Sequence, residues 1–266
     1  MNTNNWHSKF ITDLKLKYNS DKTISIYAHN VYKFLCHFSN YREPKEIPTQ
    51  LIKEYLLSFK TLNTRKQNLC AVKRFYELTL NMPKKVSKIP YPKKAKTLPR
   101  VIESNHLKET ILNIKNLKHK ALLALGYSCA LRRSEVINLK MDCIDRKRML
   151  ILIKQSKGNK DRFVTMSKGL LKILEQYARK YQPKEYLFNG QSKLIYSATS
   201  YNNIVKHYLG KDYSTHDLRH SGATTMLENG TDVSIIQKLL GHKKIETTMI
   251  YTHISNNILQ NVQCPM

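Results

Sequence analysis

The sequence predicts a mainly α-helical protein of two domains with one small β-hairpin, and two patterns carry this prediction. Over the first 82 residues, apolar side chains recur at steps of three and four, the spacing of one face of an α-helix. One later stretch, from Met149 to Met166, departs from that spacing and is typical of two short strands joined by a turn. A chain of 266 residues is long enough for two domains, each with its own core.

The first domain, residues 1–82, is predicted to be all-helical. Ser20, just before Asp21, is a good N-cap for the second of its helices, and Thr49 is a candidate cap for the third. Each segment has one apolar stripe, so the segments are expected to pack together into a small helical domain. The four patterns run through Trp6–Tyr18, Ile24–Phe38, Leu51–Phe59 and Leu69–Leu78.

The second domain, residues 101–266, is predicted to be helical apart from the hairpin. A β-like run from Met149 to Ile153, turn residues at Lys157–Lys160 and a second run from Arg162 to Met166 form the hairpin pattern. Gly230 and Gly241 suit the C-terminal ends of the last two helices. Helical patterns follow the hairpin at Ser167–Tyr181, Tyr201–Tyr208, Leu218–Asn229 and Val233–Leu240.

The charge of the chain predicts a polyanionic partner. Lys and Arg number 46 against 19 acids, which gives a net charge of +27, and the excess is spread over both halves. Such a field attracts phosphates and releases their counterions, so nucleic-acid binding is expected. A ribosomal or chromatin-type binder fits the same charge.

Residues 83–100 are predicted to be an exposed linker between the two domains. They hold four of the eight prolines and seven basic side chains without one acid. Proline favours extended backbone, and clustered positive charge is costly to bury. The segment is therefore interpreted as a basic strap that lies on phosphates, with a plain solvated loop as the alternative.

The composition does not favour a membrane or secreted protein. No run of 18 apolar residues indicates a membrane span, and the polar first ten residues do not resemble a signal peptide. Five cysteines are scattered without C-x-x-C spacing, which predicts free thiols in a reducing compartment. The expected location is the cytoplasm, at a bacterial or host-cell nucleoid.

Four short segments of the second domain carry the side chains that metal-free cleavage of DNA requires: a nucleophile, cations that hold a phosphate, and a proton donor. Arginine suits the clamp because its planar fork meets two phosphate oxygens and stays charged. Taken singly, each segment is a weak signal in a basic chain with 16 tyrosines. The segments are Ala130–Glu135, Ser156–Arg162, His216–His220 and Leu239–His242, the last followed nine residues later by Tyr251.

Together these segments resemble the tyrosine recombinase family, the phage-integrase and Xer-type enzymes, over roughly residues 101–255. The resemblance is strongest in His216–His220 and in Leu239–His253. It implies an all-helical, SAM-like core-binding domain followed by an α-rich tyrosine recombinase catalytic domain. It also implies a site-specific enzyme that cleaves and rejoins DNA through a 3′-phosphotyrosyl link, without metal, ATP or another cofactor.

The resemblance assigns a role to five non-histidine residues. Arg132 and Arg219 correspond to the two arginines that clamp the scissile phosphate, and Glu135 corresponds to the acid that supports the first of them. Lys157, on the hairpin turn, matches the lysine that protonates the departing 5′ oxygen. Tyr251 matches the nucleophile.

Three histidines complete the resemblance. His216 corresponds to the histidine that assists proton transfer or bonds the phosphate, His242 to a third phosphate contact, and His220 to a supporting residue. The spacing of His216 and His220 also occurs in metal-binding helices, but Asp217 stands where the H-E-x-x-H motif has Glu. No metal is therefore expected. A helix-capping role for His242 is the alternative at that position.

Two positions depart from the family's pattern, and three basic residues compete for roles. Ala130 stands where Gly is usual, which is expected to tighten the following turn. Gly222 stands where a large apolar residue is common, which is expected to remove packing near the second clamp arginine. Arg133 and Arg162 are interpreted as solvated or backbone-contacting, and Lys160 is the nearest rival of the hairpin lysine.

The resemblance implies a double-stranded DNA recombination site as partner, a pair of protomers on each site and a homotetramer in the full reaction, with accessory DNA-bending proteins left open. Integration or excision of a phage or mobile element is the expected role. Xer-type resolution of chromosome or plasmid dimers, a type IB topoisomerase and a non-catalytic DNA-binding protein are the alternatives. Candidate DNA contacts are Arg65, Lys66, Lys73, Arg74, Lys84, Lys85, Lys93, Lys94 and Lys96.

Overall fold

The chain divides into two compact units, Met1–Lys96 and Thr97–Met266. The computed structural model describes residues 1–93, 98–156, 160–190 and 194–252, with the backbone alone for residues 155, 156 and 160. Helices predominate, and the second unit contains a three-stranded antiparallel sheet. The predicted fold class, mainly α with a small β-hairpin or sheet, is confirmed.

The first unit is helical and is held together by an aromatic core. The Phe34 ring packs edge-on against Phe38, Tyr55 and Tyr76, and the buried Tyr76 hydroxyl donates to the Pro44 carbonyl over 2.7 Å. The elements are α1 (Thr3–Lys17), α2 (Asp21–His37), a 3₁₀ turn (Pro44–Glu46), α3 (Thr49–Leu57), α4 (Leu62–Leu78) and α5 (Pro83–Ser87).

Local signals in this unit were partly correct. Ser20 caps α2, since its side chain accepts from the Thr23 N–H. Thr49 does not cap α3: it is the first helical residue, and its hydroxyl donates to the Lys85 carbonyl over 3.3 Å. The predicted linker is wrong over Pro83–Ser87, which is helical because proline's fixed φ suits a first helical position.

The second unit surrounds a core that draws on almost all of its elements. The helix at Leu117–Ser128 is buried on every side over residues 121–127. This part therefore lacks the three-and-four periodicity of a half-exposed helix. No helix in the described part of the chain is both long and apolar enough to cross a membrane. The elements are α6 (Ser104–Asn113), α7 (Leu117–Ser128), α8 (Arg133–Ile137), a 3₁₀ turn (Met141–Cys143), β1 (Ile144–Asp145), β2 (Leu150–Ser156), β3 (Lys160–Thr165), α9 (Lys168–Tyr181), α10 (Ala198–Leu209), α11 (Thr215–Glu228), α12 (Val233–Leu240) and α13 (Glu246–Met249).

The predicted hairpin is present as β2 and β3, and the two-residue strand β1 pairs with the other side of β2. Ile151 lies opposite Val164, and Ile153 lies opposite Arg162. Directly opposed residues of an antiparallel pair point to the same face of a sheet. Because Ile151, Ile153 and Val164 are buried, this register directs Arg162 to the inner face.

Helix α11 crosses α7 at a glycine. A β-carbon on Gly222 would lie 2.2 Å from the Tyr127 carbonyl oxygen and 3.3 Å from the Ala130 β-carbon. Gly222 therefore permits a close approach of two helices. The expectation that it removes packing is wrong, because the space a side chain would fill is occupied by backbone.

Replacement of Gly222 by alanine is expected to destabilise the second unit by about 3 kcal/mol, the upper range for overpacking of a core. Denaturant unfolding followed by far-UV circular dichroism measures this change. Gly169→Ala is the matched control, since it too lies in a helix but its β-carbon would meet only the Ser167 hydroxyl oxygen, at 3.9 Å. Equal stability of the two variants would contradict the tight crossing.

Candidate active site

The first predicted clamp residue, Arg132, is the N-cap of α8 and follows a strained turn. Ala130 has φ +46°, a region that favours glycine and costs other residues roughly 1–2 kcal/mol. Glu135, three residues after Arg132, accepts the Arg132 backbone N–H and its Nη1, each over 2.8 Å. The acid thus satisfies the start of the helix and orients the arginine at once.

Glu135 is the centre of an arginine cluster. Arg162 donates from Nη1 to Oε1 over 2.9 Å and from Nη2 to Oε2 over 2.8 Å, and Arg219 Nη1 lies 3.7 Å from Oε2. Burial alone would raise the pKa of Glu135, but the hydrogen bond and charge of Arg162, together with the bonds from Arg132, lower it to about 2. The carboxylate therefore stays ionised across the physiological range.

Arg219 is buried on α11 and connects two turns of the site. It donates from Nη1 to the Ala130 carbonyl and from Nη2 to the Leu240 carbonyl, both over 2.8 Å. Burial, followed by the positive charge of Arg132, lowers the pKa of Arg219 to about 10, which leaves the guanidinium charged at neutral pH. The two carbonyls therefore hold the positive charge of Arg219 at a fixed place in the site.

His242 lies beside Arg219, directly after the left-handed Gly241 that ends α12. Its Nε2 is 3.2 Å from Arg219 Nη2, and its Nδ1 is 3.0 Å from the hydroxyl of buried Thr248. A guanidinium only donates, so Nε2 accepts and Nδ1 carries the proton. Burial and the charges of Arg219 and Arg132 lower the pKa of His242 to about 4, which is consistent with a neutral ring.

Tyr251 is 1% exposed, and its hydroxyl lies 3.0 Å from Nδ1 of His220. Burial raises the pKa of Tyr251, although the charges of Arg219 and Arg132 partly offset this, so the phenol is protonated at rest. Burial also favours the neutral form of His220, so it lowers the pKa of that imidazole. A neutral imidazole is thus in hydrogen-bond contact with the predicted nucleophile.

His216 occupies the first turn of α11, one turn before Arg219 and His220. Residues at steps of three and four share a face of a helix, which explains the spacing of the motif. Although His216 is exposed, loss of solvent around its ring and the charges of Arg219 and Arg133 lower its pKa. His216 is therefore a neutral, solvent-exposed histidine at the start of α11.

The comparisons with known proteins identify the family. Residues 100–257, more than half of the chain, match the model of the phage integrase family. The chain belongs to the tyrosine recombinase (phage integrase) family. Tyrosine recombinase XerA of Pyrococcus horikoshii is 33% identical over 263 residues, which cover 95% of this chain and 90% of that protein.

Two solved structures share the fold of this tyrosine recombinase. One is the XerH site-specific recombinase bound to palindromic difH substrate, with a TM-score of 0.73 and 22% identity over 89% of this chain and 78% of that one. The other is the Tn1549 transposon integrase in complex with circular intermediate DNA, with a TM-score of 0.72 and 16% identity over 92% of this chain and 94% of that one. At these identities the likeness concerns the fold.

Family membership sets the activity of the chain. A tyrosine recombinase is a transesterase that cleaves and rejoins DNA in site-specific recombination, and its partner is a DNA recombination site. The structure brings together Arg132, Glu135, Arg219 and His242 in one network and places Tyr251 against His220. Lys157, the predicted proton donor, lies outside the described residues.

The sequence did not identify two residues that this network includes. Arg162 was interpreted as solvated or backbone-contacting, but 9% of its side chain is exposed, and it pairs with Glu135 as well as with the Leu239 carbonyl. The Thr248 hydroxyl lies 3.0 Å from Nδ1 of His242 and so holds the imidazole ring in place. The β-strand register could have revealed the inward direction of Arg162, whereas no sequence signal marks Thr248.

The predicted DNA contacts of the first unit separate into two groups. Arg65, Lys73 and Lys85 donate to backbone carbonyls within their own unit, and Arg74 pairs with Glu77 over 2.5 Å. These four therefore have structural partners. Exposed candidates are Lys66, Lys84 and Lys93, while Lys94 and Lys96 lie outside the described residues.

The expectation of no metal was based on the residues between His216 and His220. Within the described ranges, no three His, Cys, Asp or Glu side chains are grouped as a metal site requires.

The four described cysteines are free thiols, namely Cys36, Cys70, Cys129 and Cys143. Cys264 lies outside the described residues.

Proposed function

We propose that Tyr251 is the nucleophile of this tyrosine recombinase and that Arg132, Arg219, His216 and His242 hold the scissile phosphate. One observation carries this assignment: Arg219 connects the Glu135–Arg132 pair to His242, and the next residue on α11 contacts the Tyr251 hydroxyl. Clustered cations stabilise the charge of a pentavalent phosphate, and His242 would join them as a donor once its Nε2 is protonated and no longer accepts from Arg219. The network therefore supports phosphoryl transfer to tyrosine.

The proposed step forms a bond between the Tyr251 Oη and phosphorus and breaks the bond from phosphorus to the 5′ oxygen. The phenol proton passes to Nδ1 of His220, which is 3.0 Å away. Lys157 gives a proton to the departing 5′ oxygen, and a 3′-phosphotyrosyl link remains. Attack by the 5′ hydroxyl of a partner strand reverses these changes, so the bond energy is retained and ATP is not consumed.

The resting position of Tyr251 adds a condition to this mechanism. A side chain that is 1% exposed is not presented to a phosphodiester. Attack therefore requires movement of Tyr251 or of the groups that cover it. Coupling this movement to DNA binding would prevent the nucleophile from reacting in the absence of its substrate.

The same proposal includes the biological setting. We assign the reaction to integration or excision of a phage or mobile element in the cytoplasm, with dimer resolution as the competing role. Pairs of protomers on two sites would form a tetramer, and the exposed Lys66, Lys84 and Lys93 would contact the DNA backbone. The net charge of +27 supports binding of this kind.

The function is tested with a nicked duplex. Binding sites are first selected from random-sequence DNA, and the selected duplex is then nicked so that the short leaving strand diffuses away. We expect a covalent adduct in the presence of EDTA and joined recombinant strands when two intact sites are mixed. A duplex of scrambled sequence is the control.

The outcomes separate the alternatives. Relaxation of supercoiled plasmid without exchange between sites would indicate a topoisomerase. Tight binding of the selected duplex without an adduct would indicate a non-catalytic DNA-binding protein. Recombination at the ends of a phage or mobile element would indicate an integrase, and recombination at chromosome or plasmid dimer-resolution sites would indicate the Xer-type role.

A further inference from the structure

Among the described residues, Arg162 donates hydrogen bonds to two other segments of the site. Its Nη1 and Nη2 donate to the two carboxylate oxygens of Glu135 over 2.9 and 2.8 Å, and its Nε donates to the Leu239 carbonyl over 2.6 Å. A bidentate arginine–carboxylate pair fixes geometry as well as charge. Arg162 therefore connects β3 to the start of α8 and to the end of α12.

Both partners of Arg162 lead directly to residues of the proposed phosphate clamp. Glu135 also accepts two bonds from Arg132. Leu239 lies three residues before His242, and between them Gly241 packs on the Arg162 side chain: a β-carbon there would be 3.3 Å from the arginine Cδ. Displacement of Arg162 would thus disturb two clamp residues at once.

Exposure distinguishes Arg162 from Arg132, whereas its partners distinguish it from Arg219: the Arg219 side chain is only 5% exposed, but its Nη2 reaches His242, while both Nη atoms of Arg162 go to Glu135. The Arg132 side chain is 20% exposed, whereas that of Arg162 is 9% exposed. Arg132 thus presents more surface to a ligand, and the described hydrogen bonds of Arg162 go to Glu135 and the Leu239 carbonyl. The position of Arg162 in the register, opposite Ile153 on the inner face of the sheet, gives the same direction.

We propose that Arg162 is a positioning residue for the cleavage step, which orients Arg132 through Glu135 and holds the Leu239–His242 turn without contacting DNA. This inference rests on the proposed function, because it assigns Arg162 to the same phosphate clamp. A lysine at this position cannot replace it, since an ammonium group lacks the planar fork that spans two carboxylate oxygens. Because Arg162 lies on β3, its bonds also anchor this strand, which follows Lys157 in the sequence, to the clamp.

The test compares Arg162→Gln and Arg162→Lys with wild type in single-turnover cleavage of the nicked site duplex. At saturating DNA, the cleavage rate of Arg162→Gln is expected to fall by about 100-fold. This is the upper range for residues that act by hydrogen-bonding to the groups that contact the reacting centre. The DNA concentration that gives half the maximal rate is expected to stay unchanged. Arg162→Lys, which keeps the charge, is expected to recover only part of the rate.

Arg148→Gln is the matched control, since it removes the same charge from the turn between β1 and β2, at a side chain that is 81% exposed. We expect it to cleave at the wild-type rate. The melting temperature of each variant is measured in parallel, and rates are compared well below all of the melting temperatures.

The pH profile separates positioning from a merely structural role. Arg132, Arg162 and Arg219 face Glu135 from the turn before α8, from β3 and from α11. Because the hydrogen bond and charge of Arg162, together with the bonds from Arg132, lower the pKa of Glu135, loss of Arg162 raises it. The carboxylate is then protonated at a higher pH as the solution is acidified, so the cleavage rate of Arg162→Gln is expected to fall at a higher pH than that of wild type.

Four results would overturn the proposal. Wild-type cleavage by Arg162→Gln would show that the residue is not needed, and the wild-type pH profile with a lower melting temperature would show a structural role alone. A rise in the half-saturating DNA concentration, with the maximal rate unchanged, would indicate a direct DNA contact. If Arg162→Gln does not fold, wild-type cleavage by folded Arg162→Lys overturns the proposal, whereas absence of an adduct with wild type itself would reject the proposed function.

Discussion

Phenylalanine in place of Tyr251 is expected to abolish the covalent protein–DNA adduct and to leave DNA binding intact. The substitution removes one oxygen and its hydrogen bond to His220, while the buried ring keeps its place. Loss of one such bond costs about 1 kcal/mol of stability. Loss of a nucleophile lowers the rate far more, on the order of 10⁴-fold or beyond. The nicked duplex and a denaturing gel measure the adduct.

Tyr127→Phe is the matched control for this substitution. The Tyr127 hydroxyl is also partly buried in the second unit, and it lies 3.1 Å from the Thr225 hydroxyl. Its loss therefore costs a similar hydrogen bond without touching the proposed site, and an adduct at the wild-type level is expected. An adduct that persists in Tyr251→Phe would move the nucleophile to another residue.

The sequence predicted those parts of the fold that depend on local periodicity. Helices of the first unit have one buried and one exposed face, so α1 to α4 follow directly from their apolar spacing. The hairpin of β2 and β3 was visible for the same reason. Helix α7 was not, since its burial on all sides removes the period. Local patterns report exposure, and they are uninformative where every side is covered.

The residues of the candidate site were found by motif, but their connections were not. Arg132, Glu135, Arg219, His242 and Tyr251 meet in the second unit, as the resemblance implied for catalytic residues. Their roles stay predictions until activity is measured. A motif identifies the residues that contact a substrate, because these residues must reach the same substrate atoms and therefore recur at a fixed spacing in the sequence. It does not name those that support them from other elements.

Arg162, Gly222 and Thr248 illustrate this difference. Each acts through a tertiary contact: the Glu135 carboxylate, the Tyr127 carbonyl and the His242 ring, respectively. An isolated arginine in a chain of +27 net charge is expected to be solvated, and an isolated glycine in a helix is expected to weaken packing. Only the packing of distant segments reverses both expectations.

Lysine in place of Arg219 is expected to lower the rate of DNA cleavage by about 1000-fold, in the range found for loss of a preorganised donor to a transition-state oxyanion. Arg219 contacts the Ala130 carbonyl, the Leu240 carbonyl and His242 Nε2 with one planar group. An ammonium group keeps the charge but cannot reach all three acceptors in this geometry. The free energy of unfolding is expected to fall by about 2 kcal/mol, because a buried carbonyl loses a charged donor.

Arg179→Lys, at an exposed position in the last turn of α9, is the control, and it is expected to change neither the cleavage rate nor stability. Single-turnover cleavage at saturating DNA isolates the chemical step from binding. Below the melting temperature of the variant, a rate loss much larger than the change in DNA affinity would show that Arg219 acts on the transition state. Cleavage by Arg219→Lys at the wild-type rate would contradict this, since it would mean that charge alone is sufficient and that the fork between the two carbonyls serves only the fold.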